Sequence, residues 1–471
     1  MALFNSIVSD INNILWTYVI IVVLITSGLW FTLRTHLVQL RMLPEMLHLL
    51  ITDGRGKRVA GSVSSFQAFC VSTASRVGVG NIAGVAIAIV TGGPGAIFWM
   101  WLIAFIGCAT GFVESTLAQI YKLPRGKNCF HGGPAYYIQN RLGQPAVAKL
   151  FAVLLAVTFG LIYVSVQANT IALSLQTAFA VPPLMTAAVL AVLTAVSING
   201  GMVRIAQITA YFVPIMAGLY LLTALAVILM NFDKVPGMFA LILNDAFTPQ
   251  AAVGGGIGTT ILTGIRRGLF SNEAGEGSVP NAAATANVSH PVKQGLVQSF
   301  GVYVDTWIVC TATAFIILLS GQYTIGGELT GIALTQKSLE NLFGALAPGA
   351  VAIMILLFAF SSVIGNYYYA EINIAFFELK SKTPLMLYRV LVVIMAAFGC
   401  IAELPLVWNL ADLFMGFLAL TNLYAIARLA KYVYRALDDY IAQYKAGKEP
   451  EFTAETMGDT TGIHAWGMEK E

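Results

Sequence analysis

Charge is scarce in this sequence. Lys, Arg, Asp and Glu make up 10% of the 471 residues, where ordinary soluble domains carry about 25%. Cysteine is scarce too. Cys70, Cys108, Cys129, Cys310 and Cys400 lie far apart with no CxxC pair, which argues against a disulfide framework and against a zinc site. The five histidines form no cluster, and His131 and His290 read as loop residues. Basic residues are missing from the N-terminal stretch MALFNSIVSDINNILW, and a long apolar run follows it. It reads as a membrane helix, not as a cleaved signal peptide. The net charge of +3 implies no nucleic-acid partner.

What the chain has in abundance is apolar sequence. Hydrophobic residues are 58% of it, and the mean hydropathy is +0.78. A spanning helix needs about 20 apolar residues. Eleven stretches meet the need: 13–33, 64–91, 95–120, 149–179, 182–198, 204–231, 251–288, 294–320, 346–378, 384–402 and 405–430. Short helices at 236–247 and 333–344 are expected in the outer loops. With the N-terminus outside, the inner loops hold 21 of the 26 basic residues, and the outer loops hold only Lys234 and Lys337. Inverting any hairpin spoils that asymmetry, so the C-terminus is expected inside. The segment KYVYRALDDYIAQYKAGKEP, beginning at Lys431, is charged and amphipathic, as expected of a tail on the inner membrane surface or in solvent.

Two spans look wrong for a membrane. The first carries TASRVGVGNIAGV at 73–85; each glycine in it costs about 1 kcal/mol of helix stability relative to alanine. Arg76 and Asn81 are expensive in hydrocarbon. The second carries GIRRGLFSNEAGEGSVPNAAA at 264–284, with Glu273 and Glu276 among its glycines. Non-helical backbone survives at membrane depth only where protein buries it or it lines a polar cavity. Its freed N–H groups favour anions and its freed carbonyls favour cations. Two broken helices therefore suit a zwitterion accompanied by a cation.

Leaving out the first span, the breaks fall in the first and sixth of ten core helices. These are matching members of two five-helix halves of opposite orientation, an inverted repeat inferred from topology alone. The expected divisions are an N-terminal helix and basic loop (1–57), a first repeat (58–231), a second repeat (232–430) and a tail (431–471). Close packing through small residues, as in Gly80/Gly84, is the plain alternative for any lone glycine pair. A nucleotide loop fails, because the spacing is not GxGxxG and no strand precedes it.

Several stretches resemble the sodium:alanine symporter family, also called alanine/glycine:cation symporters. They are RVGVGNIAGVAIAIVTGGPGAIFWMW (76–101), GGPAYYI (132–138), GIRRGLFSNEAGEGSVPNAA (264–283), HPVKQG (290–295) and SSVIGNYYYAE (361–371). The resemblance runs in order from about residue 60 to about residue 430. It implies an all-α fold like that of the bacterial leucine transporter, a ten-helix inverted repeat with one extra N-terminal helix. It also implies roles for residues. Gly78 and Gly80, with Asn81, would bind the substrate carboxylate through backbone N–H groups. Ala74 and Val77 would give carbonyls to Na⁺, joined by the Phe358 carbonyl and the Ser361 and Ser362 hydroxyls. Those last three share one helix face, and back-bonding of the serines to their own helix is the plain alternative. Phe270, Ser271 and Asn272 would hold the ammonium end and cap the pocket, and Gln167 would contact the substrate.

The family often has Thr or Ser where Val79 stands, and Trp where Asn366 stands. A smaller, polar Asn366 opens the pocket to larger side chains, glutamine included. Arg76 needs a partner, and a pair with Glu273 or Glu276 across the breaks, as gate or as structural glue, is expected. The function implied is Na⁺-driven uptake of alanine or glycine across a bacterial inner membrane. Uptake of glutamine or another polar neutral amino acid, or H⁺ coupling through buried acids such as Asp305, Glu114, Glu371 and Asp412, is the alternative. The expected partners are a small neutral amino acid, Na⁺ and the lipid bilayer, with no organic cofactor, nucleic acid or obligate protein partner. A channel lacks its filter motif here, and a membrane-embedded enzyme lacks a metal cluster or a nucleophile–base pair.

Overall fold

A computed structural model describes residues 2–53, 62–125, 129–200, 202–248, 258–378 and 381–466. The division at 57/58, the start of the 251–288 span, and Arg55, Lys57, Arg58, Lys127, Lys380 and Lys470 of the charge count lie outside the described residues.

Hydrocarbon offers backbone groups no partner, so apolar segments satisfy them within helices. The chain runs α1 (Leu3–Arg34), α2 (Leu43–Asp53), α3 (Ser65–Arg76), α4 (Gly80–Gly92), α5 (Ala96–Ile120), α6 (Pro134–Asn140), α7 (Pro145–Phe179), α8 (Pro183–Ser197) and α9 (Met202–Met230). It continues through α10 (Val235–Ala246), α11 (Thr259–Asn272), α12 (Val279–Thr285), α13 (Pro291–Ser320), α14 (Gly331–Phe343), α15 (Ala347–Ala375), α16 (Thr383–Ile401) and α17 (Leu404–Lys445). One small antiparallel hairpin pairs Leu123–Pro124 with Phe130–His131.

Eight of these helices are long and apolar enough to cross a membrane, and the bent pair α3 and α4 makes a ninth. The expected count of eleven is not reached by that measure. Of the other two expected spans, 182–198 is the 15-residue α8, and 251–288 is divided between α11 and α12. The short helices expected at 236–247 and 333–344 are α10 and α14.

Burial sorts the helices into layers. The chain buries most of α5 and α13, whereas α9 and α16 leave most of their apolar surface exposed. Leu222, Leu229, Met386 and Leu387 point outward, as lipid-facing side chains do. The interrupted helices pack at the centre: α3 lies against α9, α12 and α15, and α11 against α4 and α5.

The tail departs from expectation. The last helix runs unbroken across residue 431 to Lys445. Its continuation lies on protein, with Tyr440 buried and its hydroxyl donating to Glu45 Oε1 at 2.6 Å. Beyond it the chain folds back over the ends of α5 and α13. Phe452 N donates to Ser289 O at 3.0 Å, and Trp466 Nε1 donates to Gln119 O at 2.9 Å. Apolar side chains on the helix and aromatic anchors on the tail find a protein surface, so one face of the segment rests on the bundle. We call this face the tail end of the bundle.

Candidate functional site

The first break begins where Val77 leaves helical geometry, at φ −78° and ψ 89°. Residues 77–79 separate α3 from α4, and the two axes meet at 48°. The N–H groups freed there are taken by side-chain amides. Gly78 N donates to Asn81 Oδ1 at 2.9 Å, and Val79 N donates to Gln167 Oε1 at 3.3 Å. The glycines are needed for closeness. A Cβ on Gly78 would press on Ser362 Oγ, and one on Gly80 would lie 3.2 Å from the Cα of Ser271.

Beside this break four oxygens converge. Ser362 Oγ lies 2.8 Å from Ala74 O on α3 and 3.1 Å from Phe358 O on its own helix. Ser361 Oγ donates to Phe358 O at 2.8 Å. Four of the five expected sodium-site residues, Ala74, Phe358, Ser361 and Ser362, thus meet. The fifth, Val77, caps α3 through its N–H, which donates to Thr73 O at 2.7 Å. The serines also back-bond to their own helix as the plain alternative has it, but Ser362 alone reaches across to α3.

On the other side of the break Asn81 Nδ2 donates to Asp305 Oδ1 at 2.5 Å and to Ser271 Oγ at 2.9 Å. Ser271 Oγ donates to Asp305 Oδ2 at 2.7 Å, and Asn272 Nδ2 donates to Thr306 Oγ1 at 3.3 Å. This ties α4, α11 and α13 into one polar knot. Asn81, Asp305 and Tyr163 all sit in π-helical turns, at Gly80–Gly84, Tyr303–Cys310 and Thr158–Tyr163. Such wide turns re-aim side chains and are frequent at functional sites. Phe270 closes the space above, its ring 4.8 Å from Tyr163 and 4.7 Å from Trp408.

The second break spans 273–278. Glu273 ends α11 at φ +56°, and Gly275 and Gly277 follow at +99° and +78°. Ala274 N donates to Asn272 Oδ1 at 3.0 Å, and Gly275 N donates to Glu114 Oε1 at 3.2 Å. Ser75 Oγ lies 2.7 Å both from Glu273 Oε1 and from the Asn366 carboxamide. A hydroxyl has one proton to give. Ser75 therefore donates to Glu273, and the Asn366 amide serves Ser75 through its NH₂, which otherwise has no partner.

Residues 1–454 match the sodium:alanine symporter family along nearly the whole chain. The chain belongs to that family. It is 50% identical over 462 residues to a probable sodium/glutamine symporter of Bacillus subtilis, covering 98% of this chain and 96% of that one. It is 48% identical over 468 residues to an amino-acid carrier protein of the same organism, covering 99% of each. A solved manganese transporter mutant of Eremococcus coleocola overlaps it at 12% identity with a TM-score of 0.49, over 86% of this chain and 83% of that one, too distant to speak to function. This symporter-family chain is a multi-pass membrane transporter, not an enzyme.

The symporter does not form the expected ion pair between Arg76 and Glu273 or Glu276. Arg76 Nη2 donates to Gln298 Oε1 at 2.7 Å and to Ser72 Oγ at 3.1 Å, and Nη1 donates to Gln298 O at 3.3 Å. The reason is steric. Gly301 on α13 leaves a slot against which the guanidinium lies, and a Cβ there would be 2.8 Å from it. Glu273 is meanwhile held by Ser75 and Ser278. The ion pair that does bridge the core is Arg267 with Asp412, assisted by Arg266 Nη1 at 3.4 Å from Asp412 Oδ2. Arg267 also lies over the Trp408 ring at 4.6 Å.

Sequence reasoning placed Asp305 and Asp412 in spans without finding their partners, and it missed Ser75, Tyr163 and Trp408 altogether. A π-helical turn shifts side-chain phase with no residue type to announce it, so spacing alone did not bring Tyr163 to the site.

Proposed function

We propose that the chain is a secondary active symporter in which Na⁺ influx drives uptake of a small neutral amino acid, alanine or glycine, across the bacterial inner membrane. The observation that carries this is the Ser362 hydroxyl set between the Ala74 carbonyl of the broken helix and the Phe358 carbonyl of α15. Oxygen-only shells suit a hard cation. The Na⁺ ligands are Ala74, Val77, Phe358, Ser361 and Ser362. The amino acid sits next to them, its carboxylate displacing the Asn81 and Gln167 carboxamides from the N–H groups of Gly78 and its neighbours through Gly80. Phe270, Ser271 and Asn272 hold its other end. Ion and carboxylate then bind side by side and favour each other.

The chain crosses the membrane eleven times, N-terminus outside and C-terminus inside, as an N-terminal helix, two inverted five-helix repeats and a tail. The charge asymmetry supports the orientation, and the interruptions in the first and sixth core helices support the repeat. Arg267 and Asp412, with Trp408 and Phe270, close the outer side.

One observation favours glutamine as cargo. Asn366 stands where the family often has Trp, and it is held by Ser75 on the wall of the first break. A probable sodium/glutamine symporter is also among the relatives. Uptake of radiolabelled alanine into proteoliposomes tests both, under a Na⁺ gradient and then an H⁺ gradient, with unlabelled glycine, serine and glutamine as competitors. Accumulation driven by Na⁺ and blocked by glycine is expected. Accumulation driven by H⁺ alone overturns the sodium site, and glutamine uptake without alanine uptake changes the cargo and keeps the mechanism.

A further inference from the structure

Three carboxylates converge on the second break, and no cation touches any of them among the described residues. Glu114, Glu273 and Glu276 are each 2% exposed or less. Glu114 accepts from Gly275 N and, at 2.7 Å, from Asn422 Nδ2. Glu273 accepts from two serine hydroxyls, Ser75 at 2.7 Å and Ser278 at 2.6 Å. Glu276 is different. Its Oε2 has one long bond, from the Tyr163 hydroxyl at 3.2 Å. Its Oε1 is fully buried and has no partner at all.

The groups facing Glu276 are few. The break brings Glu273, α5 brings Glu114, α7 brings Tyr163, and α17 brings the neutral Asn422. Arg76 on α3 lies close enough to act on Glu114 and Glu273, and its guanidinium is spent on Gln298 and Ser72. An ionised carboxylate buried with one weak donor and two like charges beside it is far too costly to persist. A neutral acid there needs no counter-charge.

We propose that Glu276 is a proton-binding site, protonated while it is buried as it is here and ionised when the inner half of the bundle opens. It lies in the second break, from which α12 leads toward the tail end, so in the proposed orientation the water that reaches it first is cytoplasmic. Closing the inner half takes one proton from that water onto a Glu276 oxygen, and opening returns it. Only an O–H bond is made or broken. The return of the empty or loaded carrier then depends on cytoplasmic pH even though Na⁺ supplies the driving force.

This rests on the transport reading for one arm of its test and not for the other. In the first arm, Na⁺-driven alanine and glutamine uptake is followed in proteoliposomes while the internal pH is stepped from mildly acidic to alkaline. Uptake is expected to fall about tenfold per pH unit above its midpoint, as for a single required proton. In E276Q, whose amide stays neutral, that dependence disappears. In Y163F, which loses the one donor to the ionised form, the midpoint moves to higher pH. A flat wild-type profile, or an E276Q profile identical to wild type, overturns the proposal. The second arm needs no transport. Infrared difference spectra of purified wild type minus E276Q at neutral pH should contain a protonated-carboxyl band. A difference made only of carboxylate bands overturns the site, while absence of Na⁺-driven uptake in wild type strikes the proposed function alone.

Discussion

The two breaks solve one problem in opposite ways. The first, at 77–79, is three residues long and carries no charge, and neutral carboxamides from Asn81 and Gln167 cover its freed N–H groups. The second, at 273–278, is longer and is held by carboxylates and by residues of its own loop. Each is preceded by a buried arginine. Arg76 before the first rests on the neutral Gln298 and Ser72, and Arg267 before the second rests on the carboxylate of Asp412. Neutral covers are cheap to displace, so the first break suits a site that ligands enter and leave. Charged anchors inside a membrane are not, so the second suits a joint that is locked or released as a unit.

The largest effects should come from the arginines. Among the described residues Asp412 is the carboxylate paired with Arg266 and Arg267, so D412N leaves the buried Arg267 and the half-buried Arg266 without an anion. Breaking a buried pair from one side costs about 3–5 kcal/mol. Q298L at the first break removes a hydrogen bond to a charged group, worth about 1.5–3 kcal/mol. Thermal melts in detergent should therefore rank D412N well below Q298L. Equal losses would mean that the two arginines are anchored alike and the contrast is false.

Glycine substitutions come next, at about 1–3 kcal/mol each for overpacking. G78A drives a methyl onto Ser362 Oγ, and G277A drives one onto Asn422 and Pro134. The two should respond differently to relief. Ser362→Ala in the G78A background removes the clashing atom and should restore thermal stability, since Gly78 has no positive φ. Asn422→Ala in the G277A background should restore little, because Gly277 sits at φ +78° and a side chain there stays strained. Full recovery of the second double variant would sink the distinction.

Much of this was legible beforehand because apolar length and charge placement act over whole segments. The interruptions at 76–84 and 264–284 stood out because glycine and charge have no ordinary place in a span, and the structure breaks both. Ala74, Phe358, Ser361 and Ser362 could be named because their spacing and the family resemblance agreed. The partners of charged residues were not legible. Arg76 could have met any of several acids in projection, and only the slot opened by Gly301 sends it to Gln298. The packing of the tail on the bundle was not legible either, because its aromatic anchors, Phe452 and Trp466, signal burial without saying whether lipid or protein receives them.

The serines beside the first break give a finer contrast. Ser362 reaches Ala74 across the helix boundary, whereas Ser361 reaches only Phe358 on its own helix. S362A should weaken Na⁺ dependence of uptake by about tenfold, equivalent to ~1.4 kcal/mol, and S361A by less. The readout is the Na⁺ concentration for half-maximal uptake at saturating amino acid. An unchanged value in S362A removes the cation from this cluster and leaves the serines as helix back-bonds.

The smallest effect lies far from both breaks, where titration acts on the tail-end face. His290 caps α13, its Nδ1 accepting from Val292 N at 3.2 Å, and its Nε2 lies 3.2 Å from Asp439 Oδ2. Phe452 of the tail packs on the ring at 5.3 Å. Burial pushes the imidazole from its ordinary 6.5 down to about 4, against the pull of Asp439. The folded state thus holds the neutral ring. Its contribution to stability is complete above pH 6.5 and is lost as the pH falls toward 4, because a protonated Nδ1 can no longer accept from Val292. Wild-type melting temperature should drop over that window by a few degrees more than that of H290N, which keeps a capping acceptor and does not titrate. A matching acid response in H290N would place the acid-sensitive group elsewhere and leave the cap as a purely neutral contact.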